Sequence, residues 1–218
     1  MLPREGELES RDGRGLGFSG RNAVAGERAW EGVGVGNGAG GAVAWIQAAL
    51  PGAPVRAGRT RVVAVDGRSG AGKTRLAEAL RGEFGAPVVS LEYLYGGWDG
   101  LERGIGLLVS AVLEPLAAGR AVRVPRYDWV AREWGEPVPL APPDVLIVEG
   151  VGAGARRAAA FASLVVWLEA PWYVRKKRAL DRDGETFAPY WDIWAAQEDA
   201  MLARERTPER ADLVIEAG

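Results

Sequence analysis

The chain has 218 residues, enough to bury one ordinary core and too few for two large domains, so a single site is expected. Its 27 basic and 29 acidic residues leave a formal charge of -2, too weak a field to gather nucleic acid or an anionic membrane. With no cysteine and no histidine, the sequence excludes disulfides, thiolate nucleophiles and imidazole bases, and leaves chemistry to carboxylates, lysine, arginine, hydroxyls or an oxygen-held metal.

No apolar run approaches the roughly 18 to 20 residues needed to cross a bilayer, and the opening MLPREGELES is charged where a secretory segment is apolar. A soluble cytoplasmic protein is the expectation. Residues 1–41 hold 12 of the 31 glycines, five arginines and six acids, without a sustained period of 2 or 3.6. Such a segment cannot offset its ordering entropy by burial, so it is expected to be a disordered tail ahead of a globular domain over 42–218. Within it GNGAGG at 36–41 fits the dinucleotide pattern GxGxxG, but no convincing strand precedes it and glycine is dense here, so it carries little.

From residue 42 a short helix (AVAWIQAAL) stops at Pro51, and the apolar run RVVAVD, ending at Asp66, reads as a buried strand. Further short β-branched runs stand at 88–91, 145–148, 164–168 and 213–215. Between them the sequence predicts helices over 74–84, 99–118, 154–161, 171–183 and 189–206. Continuous rather than alternating apolarity points to strands covered on both faces, and the alternation of strand and helix to a doubly wound α/β sheet. In such sheets the site lies beyond the carboxyl ends of the strands.

Directly after the first strand comes GRSGAGKT at 67–74, which satisfies GxxxxGK[ST] and leads into a helix, the context its mechanism requires. Glycines let the loop curl so that its N–H groups converge on phosphate, and the helix N-terminus adds partial positive charge. The spacing assigns Gly67, Ser69, Gly70, Ala71, Gly72, Lys73, Thr74 and Arg75 to nucleotide binding, with Lys73 toward the β- and γ-phosphates and Thr74 toward magnesium. Only three of the 27 basic residues are lysine, so an ammonium at this position stands out. Asp66 and Glu149, each ending a strand, are the alternative carboxylates for the metal, directly or through water.

After the second strand, SLEYLYGGWDGL sets Glu92, Tyr95, Trp98 and Asp99 on an expected active-site loop, mixing acids with aromatic faces as suits a hydroxyl acceptor on a flat or sugar-like body. RYDWVAREW at 126–134 offers Tyr127, Asp128, Trp129 and Arg132 in a second expected loop. In PWYVRKKRALDRDG, Arg175, Arg178 and Arg182 fall on one helical face, where a mobile lid can neutralise a transferring phosphoryl group.

Together AVDGRSGAGKT, SLEYLYGGWDGL, YDW, LIVEG and Arg178-x-x-x-Arg182-Asp183 resemble the uridine kinase-like branch of P-loop small-molecule kinases, over about residues 60–216. The resemblance implies a five-stranded parallel sheet of order 2-3-1-4-5 flanked by helices with a helical lid, ATP with Mg²⁺, and transfer of the γ-phosphate to a hydroxyl. It implies Glu92 in the place of the family's aspartate base, Arg178 and Arg182 as lid arginines, and Tyr127, Asp128 and Trp129 as the aromatic-Asp-aromatic element. Asp99 and Asp128 stay open as alternative bases. Arg132 and Trp134 stand where uridine kinases carry a histidine and an arginine, which argues for a different acceptor. The expected activity is an ATP-dependent small-molecule kinase, with a non-catalytic ATP-binding module as the alternative. A GTPase switch is excluded because no lysine has an aspartate two residues on.

Overall fold

The computed structural model describes residues 38–217, and the expected tail at 1–37 lies outside them. Helix α1 (Gly38–Ala49) starts four residues ahead of the expected domain boundary, and its Ala42 and Ile46 are buried against α2 (Lys73–Phe84). The last four residues of GNGAGG therefore belong to a helix packed on the domain, not to a dinucleotide loop after a strand.

The main sheet is parallel and has five strands: β1 (Arg61–Gly67), β2 (Val88–Ser90), β5 (Val145–Glu149), β6 (Leu164–Glu169) and β7 (Leu213–Glu216). Its order is β2-β5-β1-β6-β7, which differs from the expected 2-3-1-4-5 by two strands that fall between β2 and β5 in the chain and outside the sheet. These are β3 (Val122–Asp128) and β4 (Glu133–Leu140), an antiparallel hairpin where the sequence predicts a loop. Pro125, Pro137 and Pro139 remove ladder donors, and β4 is exposed or half-buried throughout, so the apolar alternation of a strand never appears. The register shifts between Val124 and Arg126, at Pro125.

Both faces of the sheet are covered, as continuous apolarity predicts. Val62 and Ala64 of β1 point into one core with Ile105, Leu108 and Val148, while Val63 and Val65 point into the other with Leu76, Leu80 and Ile147. The helix expected over 99–118 is divided into α3 (Leu101–Leu107), a π-helical turn (Leu108–Leu113) and α4 (Glu114–Ala117). Pro115 sits in the first turn of α4, where its missing N–H cannot continue the preceding ladder. The helix expected over 154–161 shrinks to α5 (Arg156–Ala159). Helices α6 (Trp172–Asp183), α7 (Trp191–Glu205) and α8 (Thr207–Arg210) complete the fold. No helix among the described residues is long and apolar enough to cross a membrane.

Candidate active site

The loop at 67–74 joins the carboxyl end of β1 to α2, and glycine is required at two of its turns. Gly70 has φ +78° and lies so close to the backbone of Arg175 on α6 that a Cβ there would collide with it; Gly72, at φ +102°, is the left-handed entry to α2. Lys73 follows, 9% exposed, with Nζ donating to Arg68 O at 3.1 Å. Burial lowers its pKa, and the carboxylates of Glu149, Glu198, Asp66 and Glu92 oppose that shift. The lysine is thus a buried cation held by surrounding acids at the floor of a cavity of about 260 Å³.

The two strand-end acids have different surroundings. Val65 pairs with Glu149 across β1 and β5, so Glu149 shares the face of Val65 while Asp66, one residue on, points to the other face of the sheet. Asp66 is fully buried and accepts main-chain N–H bonds from Gly67 at 2.7 Å, Gly152 at 2.9 Å and Gly154 at 2.8 Å. Burial pushes its carboxyl up to about 6 against the pull of those three donors and Lys73. Its oxygens hold the loop after β5 in place, which takes them away from a metal. Glu149 instead accepts from the Thr74 hydroxyl at 3.4 Å. Burial, then the charge of Glu92, raises its pKa, while Lys73, Ser90 and Arg182 pull it down. Thr74 and Glu149 are the oxygen pair suited to a hard cation. Among the described residues no cluster of three or more acids can hold a metal, so such an ion would draw its other ligands from phosphate and water.

The far end of the cavity is aromatic. Trp98 stacks against Phe187 and Tyr190 with ring centres 5.0 Å apart in each case, and Trp129 tilts against it at 4.6 Å. Trp129 reaches the cavity from the turn of the β3–β4 hairpin, where its indole N–H donates to Glu92 O at 2.9 Å. The Glu92 carboxylate, its side chain 35% exposed, lines this end and faces Arg182 Nη2 at 3.6 Å. Arg182 also makes a two-pronged contact to Asp183 at 2.8 and 2.7 Å. Against the cost of burial, Asp183 and Glu92 raise its pKa and keep it charged. Arg178 lines the phosphate-loop end of the cavity beside Arg75, whose pKa is lowered by burial and by the like charge of Arg178, an arrangement that favours an anion between them.

Of the residues read from sequence, Ser69, Gly70, Gly72, Lys73, Thr74, Arg75, Glu92, Tyr95, Trp98, Trp129, Arg178 and Arg182 line one cavity. Tyr95 does so as a buried post, its hydroxyl donating to Val151 O at 3.0 Å. Asp99, Tyr127, Asp128 and Arg132 do not line it. Asp128 is exposed and closes the hairpin turn by accepting from Val130 N at 2.8 Å and Ala131 N at 2.9 Å. Arg132 is exposed in that turn at φ +58°, and Tyr127 packs edge-on to Trp129 and Trp134. Gly67 and Ala71 shape the loop from behind, a Cβ on Gly67 colliding with Leu168 O at 2.5 Å and meeting the Ala71 side chain at 3.4 Å.

The residues that sequence reasoning missed come mainly from α7. Its buried positions are Trp191, Trp194, Glu198, Met201 and Glu205, a stripe spaced 3, 4, 3 and 4 residues apart. Two acids inside an apolar stripe were the available signal, because a buried carboxylate demands partners. Glu205 accepts from Arg156 N at 2.8 Å at the start of α5, and Glu198 accepts from Ser69 N at 2.8 Å in the phosphate loop.

No protein-family model and no curated protein matches the chain. Among solved structures it is similar to a possible uridine kinase from Bacillus stearothermophilus, at 22% identity and a TM-score of 0.58, over 79% of this chain and 96% of that one. It is also similar to a candidate fructose transport system kinase from Silicibacter sp. TM1040, at 22% identity and a TM-score of 0.53, over 79% of this chain and 97% of that one. The chain has the fold of the uridine kinase-like P-loop kinases.

Proposed function

We propose that this protein is an ATP-dependent phosphotransferase that phosphorylates a hydroxyl of a flat, uncharged small molecule. The observation that carries this reading is the continuity of one cavity from the phosphate loop, through Lys73 and Glu92, to a wall of Trp98, Trp129, Phe187 and Trp194. A loop built only to bind nucleotide needs no such extension. The loop amides and Lys73 would bind and orient the triphosphate, and Thr74 and Glu149, whose side chains meet at 3.4 Å, would hold Mg²⁺. Bound Mg²⁺·ATP supplies a transferable γ-phosphoryl group with part of its charge neutralised. Glu92 takes the acceptor hydroxyl proton on its carboxylate, Arg178 and Arg182 offset charge on the transferring group, and the aromatic wall excludes water and grips the acceptor by its faces.

The uncharged acceptor follows from Arg182. It lies 3.6 Å from Glu92 and is tied to Asp183, so an acceptor's carboxylate placed at Glu92 would compete with two acids for it and be repelled by both. Acceptor-stimulated ADP release, measured across nucleosides, aromatic alcohols, sugars and sugar acids, tests the proposal. Stimulation by a flat neutral alcohol is expected, and Glu92→Gln lowers that turnover by about 10² or more while MgATP affinity stays within about twofold. MgATP binding with no stimulation by any acceptor would replace this reading with the non-catalytic module.

A further inference from the structure

Glu198 is 1% exposed, and both of its carboxylate oxygens are engaged. Oε1 accepts from the main-chain N–H of Ser69 at 2.8 Å and from the indole N–H of Trp194 at 3.0 Å. Oε2 accepts from Arg68 Nε at 3.0 Å, and Arg175 Nη1 stands 3.9 Å away. Arg175 Nη1 also donates to Ser69 O at 3.3 Å. Both main-chain polar groups of Ser69 are therefore held by side chains of α6 and α7 rather than by the loop itself.

A buried carboxylate beside a loop that gathers phosphate works against anion binding, and it carries a desolvation cost that its two arginines must offset. What it supplies is direction. An ionised acceptor makes a short, strong bond to an amide, fixing the Arg68–Ser69 peptide and so the aim of the amides that follow. The same oxygen serves Trp194, one helical turn earlier, which lines the acceptor wall and meets Tyr95 edge-on at 4.8 Å.

We propose that Glu198 is a positioning residue: its shared Oε1 fixes the Ser69 amide and ties the phosphate loop to the acceptor wall through Trp194. This inference rests on the reading of the loop as a nucleotide site.

Calorimetry with MgATP on the full chain tests it in wild type, Glu198→Ala and Glu198→Gln. The alanine removes the acceptor, and about tenfold or weaker binding is expected. The glutamine keeps an oxygen for Ser69 and Trp194 and removes a repelling charge, so its affinity stays within about threefold of wild type or tightens. Both variants lose the Arg68 ion pair, and both melting temperatures fall. A merely structural role would lower both melting temperatures without separating the two affinities. Wild-type affinity in Glu198→Ala overturns the proposal, as does equal weakening in both variants, which would assign the effect to charge. Should the alanine variant not fold, Trp194→Phe removes one donor to Oε1 and keeps a ring. About threefold weaker MgATP binding is then expected, and unchanged binding overturns the link. Failure of the wild type to bind MgATP would sink the nucleotide reading and this inference together, whereas the preceding outcomes sink the inference alone.

Discussion

Two glycines with left-handed φ separate backbone strain from steric contact. Gly85, at φ +59°, caps α2 with nothing within 4 Å of where a Cβ would stand, whereas a Cβ at Gly70, φ +78°, would lie 2.7 Å from the carbonyl carbon of Arg175 and 2.8 Å from its Cα. Gly85→Ala therefore isolates the cost of the conformation, about 1 kcal/mol, and leaves MgATP binding unchanged. Gly70→Ala carries the same conformational cost and adds a collision with helix backbone that no side-chain rotation relieves. The carbonyl oxygen of Arg175 lies closer still, and non-bonded heavy atoms pack at about 3.5 Å, so the loop or the start of α6 must retreat by about 1 Å or more. If the loop yields, a shift of about 1 Å lowers turnover by about 10² and weakens MgATP. If it does not, stability falls by about 2 to 4 kcal/mol. Chemical denaturation and calorimetry of the two variants side by side decide the matter. Gly70→Ala matching Gly85→Ala in both stability and nucleotide affinity would refute the contact between loop and helix.

Lys73→Ala removes a buried cation with a lowered pKa, so the melting temperature is held or raised while phosphoryl transfer falls by about 10³ or more; a variant that transfers at the wild-type rate contradicts its role. Asp66 titrates at about 6 in the folded protein against 3.8 ordinarily, so its contribution to stability is complete below about pH 4 and is lost as pH rises through 6, a change of about 3 kcal/mol. Carbon-detected NMR of the Asp66 carboxyl reads this directly, and a midpoint below 4 would contradict it. Tyr95→Phe leaves Val151 O without its buried donor and costs about 1 to 2 kcal/mol in denaturant unfolding, with MgATP affinity unchanged; a loss of nucleotide affinity would show that Tyr95 is more than a post.

What was legible in the sequence depended on how local its cause is. The phosphate loop is a local device, since the glycines, Lys73 and Thr74 act through their own backbone and the following helix, and spacing alone reveals them. Strands β1, β5 and β6 announce themselves because burial on both faces leaves no polar alternation. The hairpin is hidden because its prolines and exposure erase the signature of a strand, and with it went the placement of Tyr127, Asp128 and Arg132. Sequence places Asp66 and Glu149 alike at strand ends, but not the three amides that turn Asp66 inward. For Glu198 the apolar stripe of α7 signals a buried acid but not its partner, because its bond to Ser69 spans 129 positions.

A site without histidine divides its acid work among carboxylates by environment, and counting donors separates their roles. Asp66 faces three main-chain amides and Glu198 an amide, an indole and an arginine, so moving either would leave buried donors unpaired. Glu149 is buried beside Thr74 and Lys73, where its charge is useful to a cation and its proton has no route to an acceptor. Glu92 differs from all three. Its carboxylate is partly exposed and faces Arg182 at 3.6 Å, beyond a hydrogen bond, while its carbonyl rather than its side chain anchors Trp129. It is the acid of this cavity that can turn toward a hydroxyl without abandoning a structural bond, and that freedom, more than its position after β2, is the physical ground for assigning it the proton.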